Sequence, residues 1–238
     1  EGFRRRRGPT IDSAGARKSK NLLSAMVSCF PCALCRRCST LGRPVGGPVR
    51  RRAPQAEAED WPWVAAVRSL DVEPRDPALP VELSPHLLLG NCKSASDLAR
   101  LRELGVTHVL NVAGAAASNP SVDYAGAGIA HHSIDAEDDE HYPIIAKHLE
   151  EARGFIRAAR ESGGRCLVHC VAGINRSGVV VAAELMLHER LEVLEAVRRC
   201  RAARGRGLIG NRGFQEQLVA LAREQGLLGP RPEGHERR

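Results

Sequence analysis

"LVHCVAGINRSG", Leu167 to Gly178, sets Cys170 at the end of a β-rich apolar run, follows it with a loop containing Gly173, and places Arg176 six residues further on. Packing alone would accept any small apolar side chain at position 170. The grouping reads instead as chemistry on an anion. A strand ending at His169 and a helix starting near Ser177 put "CVAGINR" at the carboxyl end of a strand, where α/β sheets gather their ligands. Successive backbone N–H groups of such a loop form a nest for a tetrahedral oxyanion, reinforced by the positive end of the helix dipole. Gly173 lets the backbone turn and approach closely. Arg176 supplies a planar, permanently charged fork that matches two phosphate oxygens. The same field favours the thiolate of Cys170, the nucleophilic form of the side chain.

Outward from the loop, apolar periodicity sets the fold class. "HLLLG" (86–90), "VTHVLNVA" (106–113), "GIAHHSI" (128–134) and "RCLVH" (165–169) read as strands. "SASDLARLRELG" (94–105) reads as a helix that opens on Ser or Asp and stops at Gly105. "YPIIAKHLEEARGFIRAARESGG" (142–164) carries Ile145, Leu149, Ala152 and Ile156 at helical spacing until Gly163 and Gly164. Three further helical patterns follow, over 177–189, 192–204 and 213–226. Strands separated by helices predict an α/β architecture, a central mostly parallel sheet flanked by helices.

Charge divides the chain. Residues 1–80 hold 15 Lys and Arg against 8 Asp and Glu, whereas residues 81–238 hold 20 of each. The net charge of +7 and the pI near 9.2 therefore belong to the N-terminal segment. A neutral domain argues against a polyanion as partner, because nucleic-acid binding needs a basic face. Pro74, Pro77, Pro80 and Pro85 set the expected boundary near residue 81. Residues 1–80 are expected as a disordered basic tail, 81–228 as the domain, and 229–238 as a second disordered tail. Met26 is the first methionine, and translation from it would leave residues 1–25 outside the native protein.

Cys29, Cys32, Cys35 and Cys38 form "CFPCALCRRC". Three readings stand open for this run: no function, S-acylation with membrane association, or metal ligation. Pro31 inside the run and the lack of a nearby His speak against the metal. The moderately apolar stretch 22–35 imitates a secretory signal only loosely, and a nucleophilic thiol favours a reducing compartment, cytoplasmic or nuclear.

His169-Cys170, five intervening residues and Arg176-Ser177 resemble the "HCxxGxxRS" signature of the cysteine-dependent protein tyrosine phosphatase superfamily. Residues 82–228 as a whole, including "LLLGNCKSASDLARLRELGVTHVLNVA" and "NRGFQEQL", resemble a dual-specificity phosphatase of the atypical type. The resemblance implies a phosphatase fold and hydrolysis of phosphotyrosine and phosphoserine or phosphothreonine in a phosphoprotein, through a phosphocysteine on Cys170, with no metal or other cofactor. It implies that Val171, Ala172, Gly173, Ile174, Asn175 and Arg176 cradle the phosphate.

The leaving oxygen needs a proton. "IDAEDDEHYPI" (134–144) offers Asp135, Glu137, Asp138, Asp139 and Glu140. The family pattern "IxAxD" selects Asp138 as general acid, with Asp135 and Asp139 as fallbacks. Ser177 resembles the hydroxyl that eases breakdown of the phosphocysteine, His169 a residue that orients the loop, and Asn211 an asparagine that steadies the site. Gly210 stands where the family's proline precedes that asparagine, a departure that weakens the last assignment. His131, His132 and His141 read as surface residues. A protective disulfide from Cys92 or Cys166 to Cys170 is a minor alternative.

Two other functions compete. "GINRSG" also resembles the "GxNRTG" loop of RNA 5′-phosphatases, and a phospho-binding pseudoenzyme would have lost the cysteine, the arginine or the acid. A phosphoinositide phosphatase fits less well, since the loop positions between Cys170 and Arg176 carry no lysine.

Overall fold

The computed structural model describes residues 58–73, 76–205 and 207–234. The four-cysteine run, the segment before Met26 and its apolar stretch lie outside them. Five strands form one sheet in the order β1-β2-β5-β3-β4. They are β1 (Val81–Ser84), β2 (Leu87–Asn91), β3 (Val106–Asn111), β4 (Ala130–Ser133) and β5 (Arg165–Cys170). Only β1 is antiparallel, paired to β2; β2, β5, β3 and β4 run parallel.

The central strands are apolar on both faces because both faces are covered. Cys166 and Val168 of β5 point into the main core together with Leu87 and Leu89 of β2, whereas Leu167 joins Leu88, Leu101 and Val109 on the opposite side. That alternation has the two-residue period of a pleated strand. The main core lies under α4 (Ile144–Glu161), α5 (Arg176–Glu189), α6 (Val193–Arg204) and α7 (Arg212–Glu224). Helix α5 is buried continuously from Arg176 to Met186, as expected of a helix packed on every side.

Two expectations are corrected. The helix read over 94–105 is two short ones, α2 (Cys92–Ala95) and α3 (Leu98–Glu103). Asn91 caps α2 by accepting from Ser94 N at 2.9 Å, and Asp97 starts a new helix by accepting from Arg100 N at 2.9 Å. Each cap satisfies an N–H that a helix start leaves without a partner.

The second correction concerns residues 1–80, expected as tail. Trp61–Ser69 form helix α1, with Val64 and Val67 fully buried. Each such valine contributes roughly 1.5–3 kcal/mol of burial. Arg201 ties the helix down: its Nη1 donates to Val67 O at 2.6 Å and Leu70 O at 2.8 Å, and its Nε to Leu208 O at 3.0 Å. The start was written in the sequence as Asp60 followed by Pro62 in the first turn. Prolines after residue 73 and the basic runs before residue 53 masked a nine-residue pattern.

Candidate active site

Cys170 ends β5, and Arg176 opens α5. Between them the loop closes around the sulfur: Gly173 N donates to Cys170 Sγ at 3.3 Å, and Ser177 Oγ donates to it at 3.2 Å. Both donors converge on the one sulfur atom. Gly173 takes φ +68°, and a Cβ there would stand 2.4 Å from the Gly90 carbonyl oxygen. Glycine is thus required twice over, by backbone conformation and by the approach of β2. Val171, 38% exposed, and Ala172 form the outer edge of the loop, while Ile174 is half-buried.

Arg176 is buried, and its Nη1 donates to Ala136 O at 3.2 Å. Its Nε stands 3.7 Å from Asp138 Oδ2 and makes no hydrogen bond among the described residues. Of the five acids in the loop after β4, Asp138 is the one brought to Arg176. Asp138 Oδ2 accepts from Asn175 Nδ2 at 3.3 Å and Oδ1 from Asn211 Nδ2 at 3.2 Å. Asp135 instead offers its carbonyl oxygen to Tyr142 Oη, and Asp139 accepts from His141 N.

Asn211 caps α7, accepting from Phe214 N at 3.1 Å, and its own N–H donates to Asn175 Oδ1 at 3.1 Å. The loop before it is anchored to the loop between β5 and α5 by Ile209 N, which donates to Ile174 O at 3.1 Å. Ile209 sits at φ +56°, a conformation costly for a β-branched side chain. Full burial and a 2.8 Å bond from Gln215 Nε2 to its carbonyl hold it there.

His169 lies behind the loop, 1% exposed, with Nδ1 3.4 Å from the Cys170 carbonyl oxygen. Burial, helped by the nearby charge of His131, pushes its pKa down to about 4, so the ring is neutral at physiological pH. His131 stacks on Tyr124 and His132 bonds Glu151 at 2.8 Å. The four cysteines among the described residues are free. Cys92, rather than Cys166, shares a small cluster with Cys170, Ala113 and Ala117. Cys166 faces the main core, where burial pushes its thiol far up.

The structure brings Cys170, Ser177, Arg176, Asp138 and Asn211 into one cluster, through supports that the sequence does not display. Ala136 O, Gly90 O and Ile174 O are backbone atoms, carried by no side-chain signal. The link from Asn175 to Asp138 spans 37 positions and leaves no mark in spacing.

A thiol cradled by donors, an arginine and a facing carboxylate at the carboxyl edge of a parallel sheet define a cysteine-based site for phosphate esters. Residues 87–224 match the family described as dual specificity phosphatase, catalytic domain, and the chain belongs to that family. It is 41% identical to Dual specificity protein phosphatase 26 of Bos taurus over 149 residues, covering 61% of this chain and 69% of that one. Dual specificity protein phosphatase 13B of Homo sapiens is 38% identical over 146 residues, covering 59% and 71%. Among solved structures, human DUSP28 aligns with a TM-score of 0.57 at 30% identity, covering 65% of this chain and 99% of that one. The fold is also similar to the human tyrosine phosphatase-like serine/threonine/tyrosine-interacting protein, with a TM-score of 0.56 at 26% identity, covering 61% and 97%.

Proposed function

We propose that the chain hydrolyses phosphotyrosine and phosphoserine or phosphothreonine in proteins through a phosphocysteine on Cys170. The observation that carries this reading is the pair of hydrogen bonds converging on Cys170 Sγ, from Gly173 N and Ser177 Oγ, beside the contact between Arg176 and Asp138.

In the first step Cys170 Sγ donates an electron pair to phosphorus, and the bond from phosphorus to the ester oxygen breaks. The loop N–H groups from Val171 to Arg176 and the Arg176 guanidinium hold the non-bridging oxygens as charge redistributes. Asp138 gives its proton to the departing oxygen, which would otherwise leave as a poor alkoxide or phenolate. In the second step the Asp138 carboxylate takes a proton from water as its oxygen attacks phosphorus, and the P–S bond breaks. Sulfur then leaves as a thiolate that Ser177 Oγ stabilises by donating to it. His169 keeps the strand end in place behind the nucleophile.

The catalytic groups Cys170, Arg176 and Asp138 are all present, which supports turnover over phosphate capture alone. A thiolate nucleophile supports a reducing location, cytoplasmic or nuclear. The test compares the full chain and Cys170→Ser on a phosphotyrosine peptide, a phosphothreonine peptide and 5′-triphosphorylated RNA. Turnover of both peptides and its loss to below about 1% in Cys170→Ser are expected, since a hydroxyl stays protonated where a thiolate forms. RNA as the preferred substrate, or activity persisting in Cys170→Ser, would overturn the assignment.

A further inference from the structure

We propose that Asn175 is a positioning residue for the acid, holding Asp138 in place while Arg176 is engaged by phosphate. The proposal rests on the reading of Asp138 as general acid. The family signature leaves position 175 open, and the surrounding geometry fills it with a task.

Asn175 occupies the N-cap position of α5, and its carbonyl accepts from Val179 N at 2.9 Å, continuing the helix ladder. An asparagine at an N-cap ordinarily turns its side-chain oxygen onto a backbone N–H two or three residues ahead, from an extended backbone. Here the backbone is helical, at φ −92° and ψ −70°, and the side chain caps nothing. It reaches across the site. Nδ2 donates to Asp138 Oδ2 at 3.3 Å, and Oδ1 accepts from Asn211 N at 3.1 Å.

Asn211 completes the arrangement by donating from Nδ2 to Asp138 Oδ1 at 3.2 Å. Each carboxylate oxygen therefore has its own amide donor, and two donors on two oxygens fix the plane of the group. No helix or strand does so, because residues 134–139 form neither. Arg176 cannot serve this purpose during the reaction. A phosphate ester in the loop claims the guanidinium through charge and fork geometry, so the 3.7 Å contact with Asp138 is given up. Neutral amides compete weakly for a phosphate dianion and stay with the acid.

The test uses the full chain with Asn175→Ala and Asn175→Asp, each alone and combined with Asp138→Asn. Substrates are a phosphothreonine peptide, whose alkoxide needs a proton, and 4-nitrophenyl phosphate, whose phenolate leaves with little help. Asn175→Ala is expected to lower the ratio of kcat on the peptide to kcat on the aryl ester about 10-fold, the rate equivalent of about 1.4 kcal/mol. Asn175→Asp keeps the acceptor for Asn211 N–H, replaces the donor with a carboxylate that repels Asp138, and should lower the ratio at least as far, on top of a slowing common to both substrates from the added charge in the loop. In the Asp138→Asn background neither substitution should change the ratio further.

Equal slowing of both substrates, full selectivity in Asn175→Asp, or a further fall of the ratio in the Asp138→Asn background overturns the proposal. An unchanged ratio in Asp138→Asn by itself removes the acid assignment and the proposal together. A selective Asp138→Asn beside a non-selective Asn175→Ala removes the proposal alone.

Discussion

Arg176 Nε stands 3.7 Å from Asp138 Oδ2, so the guanidinium at the start of α5 and a carboxylate of the loop after β4 meet beside the Cys170 loop. If Asp138 protonates the leaving oxygen, Asp138→Asn slows phosphopeptide hydrolysis by roughly 10²- to 10⁴-fold. An aryl phosphate with an acidic phenol should suffer much less. Asp135→Asn and Asp139→Asn serve as controls, since their side chains do not meet the arginine. A selective loss in either control, or equal loss on both substrates in Asp138→Asn, moves the acid elsewhere.

Ser177 Oγ donates to Cys170 Sγ at 3.2 Å from the second residue of α5. Ser177→Ala removes a hydrogen bond to a charged sulfur, a contact of about 1.5–3 kcal/mol, which corresponds to a rate loss of about 10- to 100-fold. The loss should fall on breakdown of the intermediate, where sulfur departs. Rapid-quench measurement should find phosphoenzyme accumulating, with a burst of alcohol release. A slowed burst with no accumulation would assign the hydroxyl to the first step.

Gly173→Ala tests the approach of the two strands. A side chain at φ +68° costs about 1–2 kcal/mol in backbone conformation alone. The added Cβ also meets the Gly90 carbonyl at 2.4 Å, which no flexible side chain can relieve. The melting temperature should drop, and kcat/KM should fall with it as Gly173 N is displaced from the sulfur. Wild-type turnover with an unchanged melting temperature contradicts the described loop.

His169 ties stability to acid. Its pKa is about 4 in the folded chain against an ordinary 6.5, so the unfolded chain binds the extra proton between these values. The contribution is fully present above pH 6.5, falls as pH drops through that window, and is gone below about 4. The difference amounts to about 3 kcal/mol. Unfolding free energies of wild type and His169→Asn, measured at neutral pH and near pH 4, should converge in acid by that amount. Parallel curves exclude a buried neutral imidazole.

The strand at 165–169, the loop after it and the helix behind it were legible because each rests on local pattern: an apolar run, a glycine, and a charge at fixed spacing. Cys170 and Arg176 needed nothing more. Asp138 was legible only through resemblance, since five acids crowd one exposed loop and composition cannot rank them. The broken helix over 92–103 was hidden because Asn91 and Asp97 are caps whose effect depends on whether the next turn can pack. Helix α1 was missed for a different reason. Its apolar face is short, and its burial comes from α6 and α7, more than a hundred residues away.

The three carbonyls gathered by Arg201 decide how this phosphatase can be cut from its surroundings or grafted onto another chain. Two of them, from Val67 and Leu70, precede every residue of the family match. The third, from Leu208, belongs to the segment that delivers Ile209 and Asn211 to the site. An excised piece beginning at residue 81 would lose two of these three acceptors and uncover the apolar surface of α6 and α7 on which α1 packs. It would also loosen the support under Asn211. A transferable piece therefore has to include α1 and Leu70.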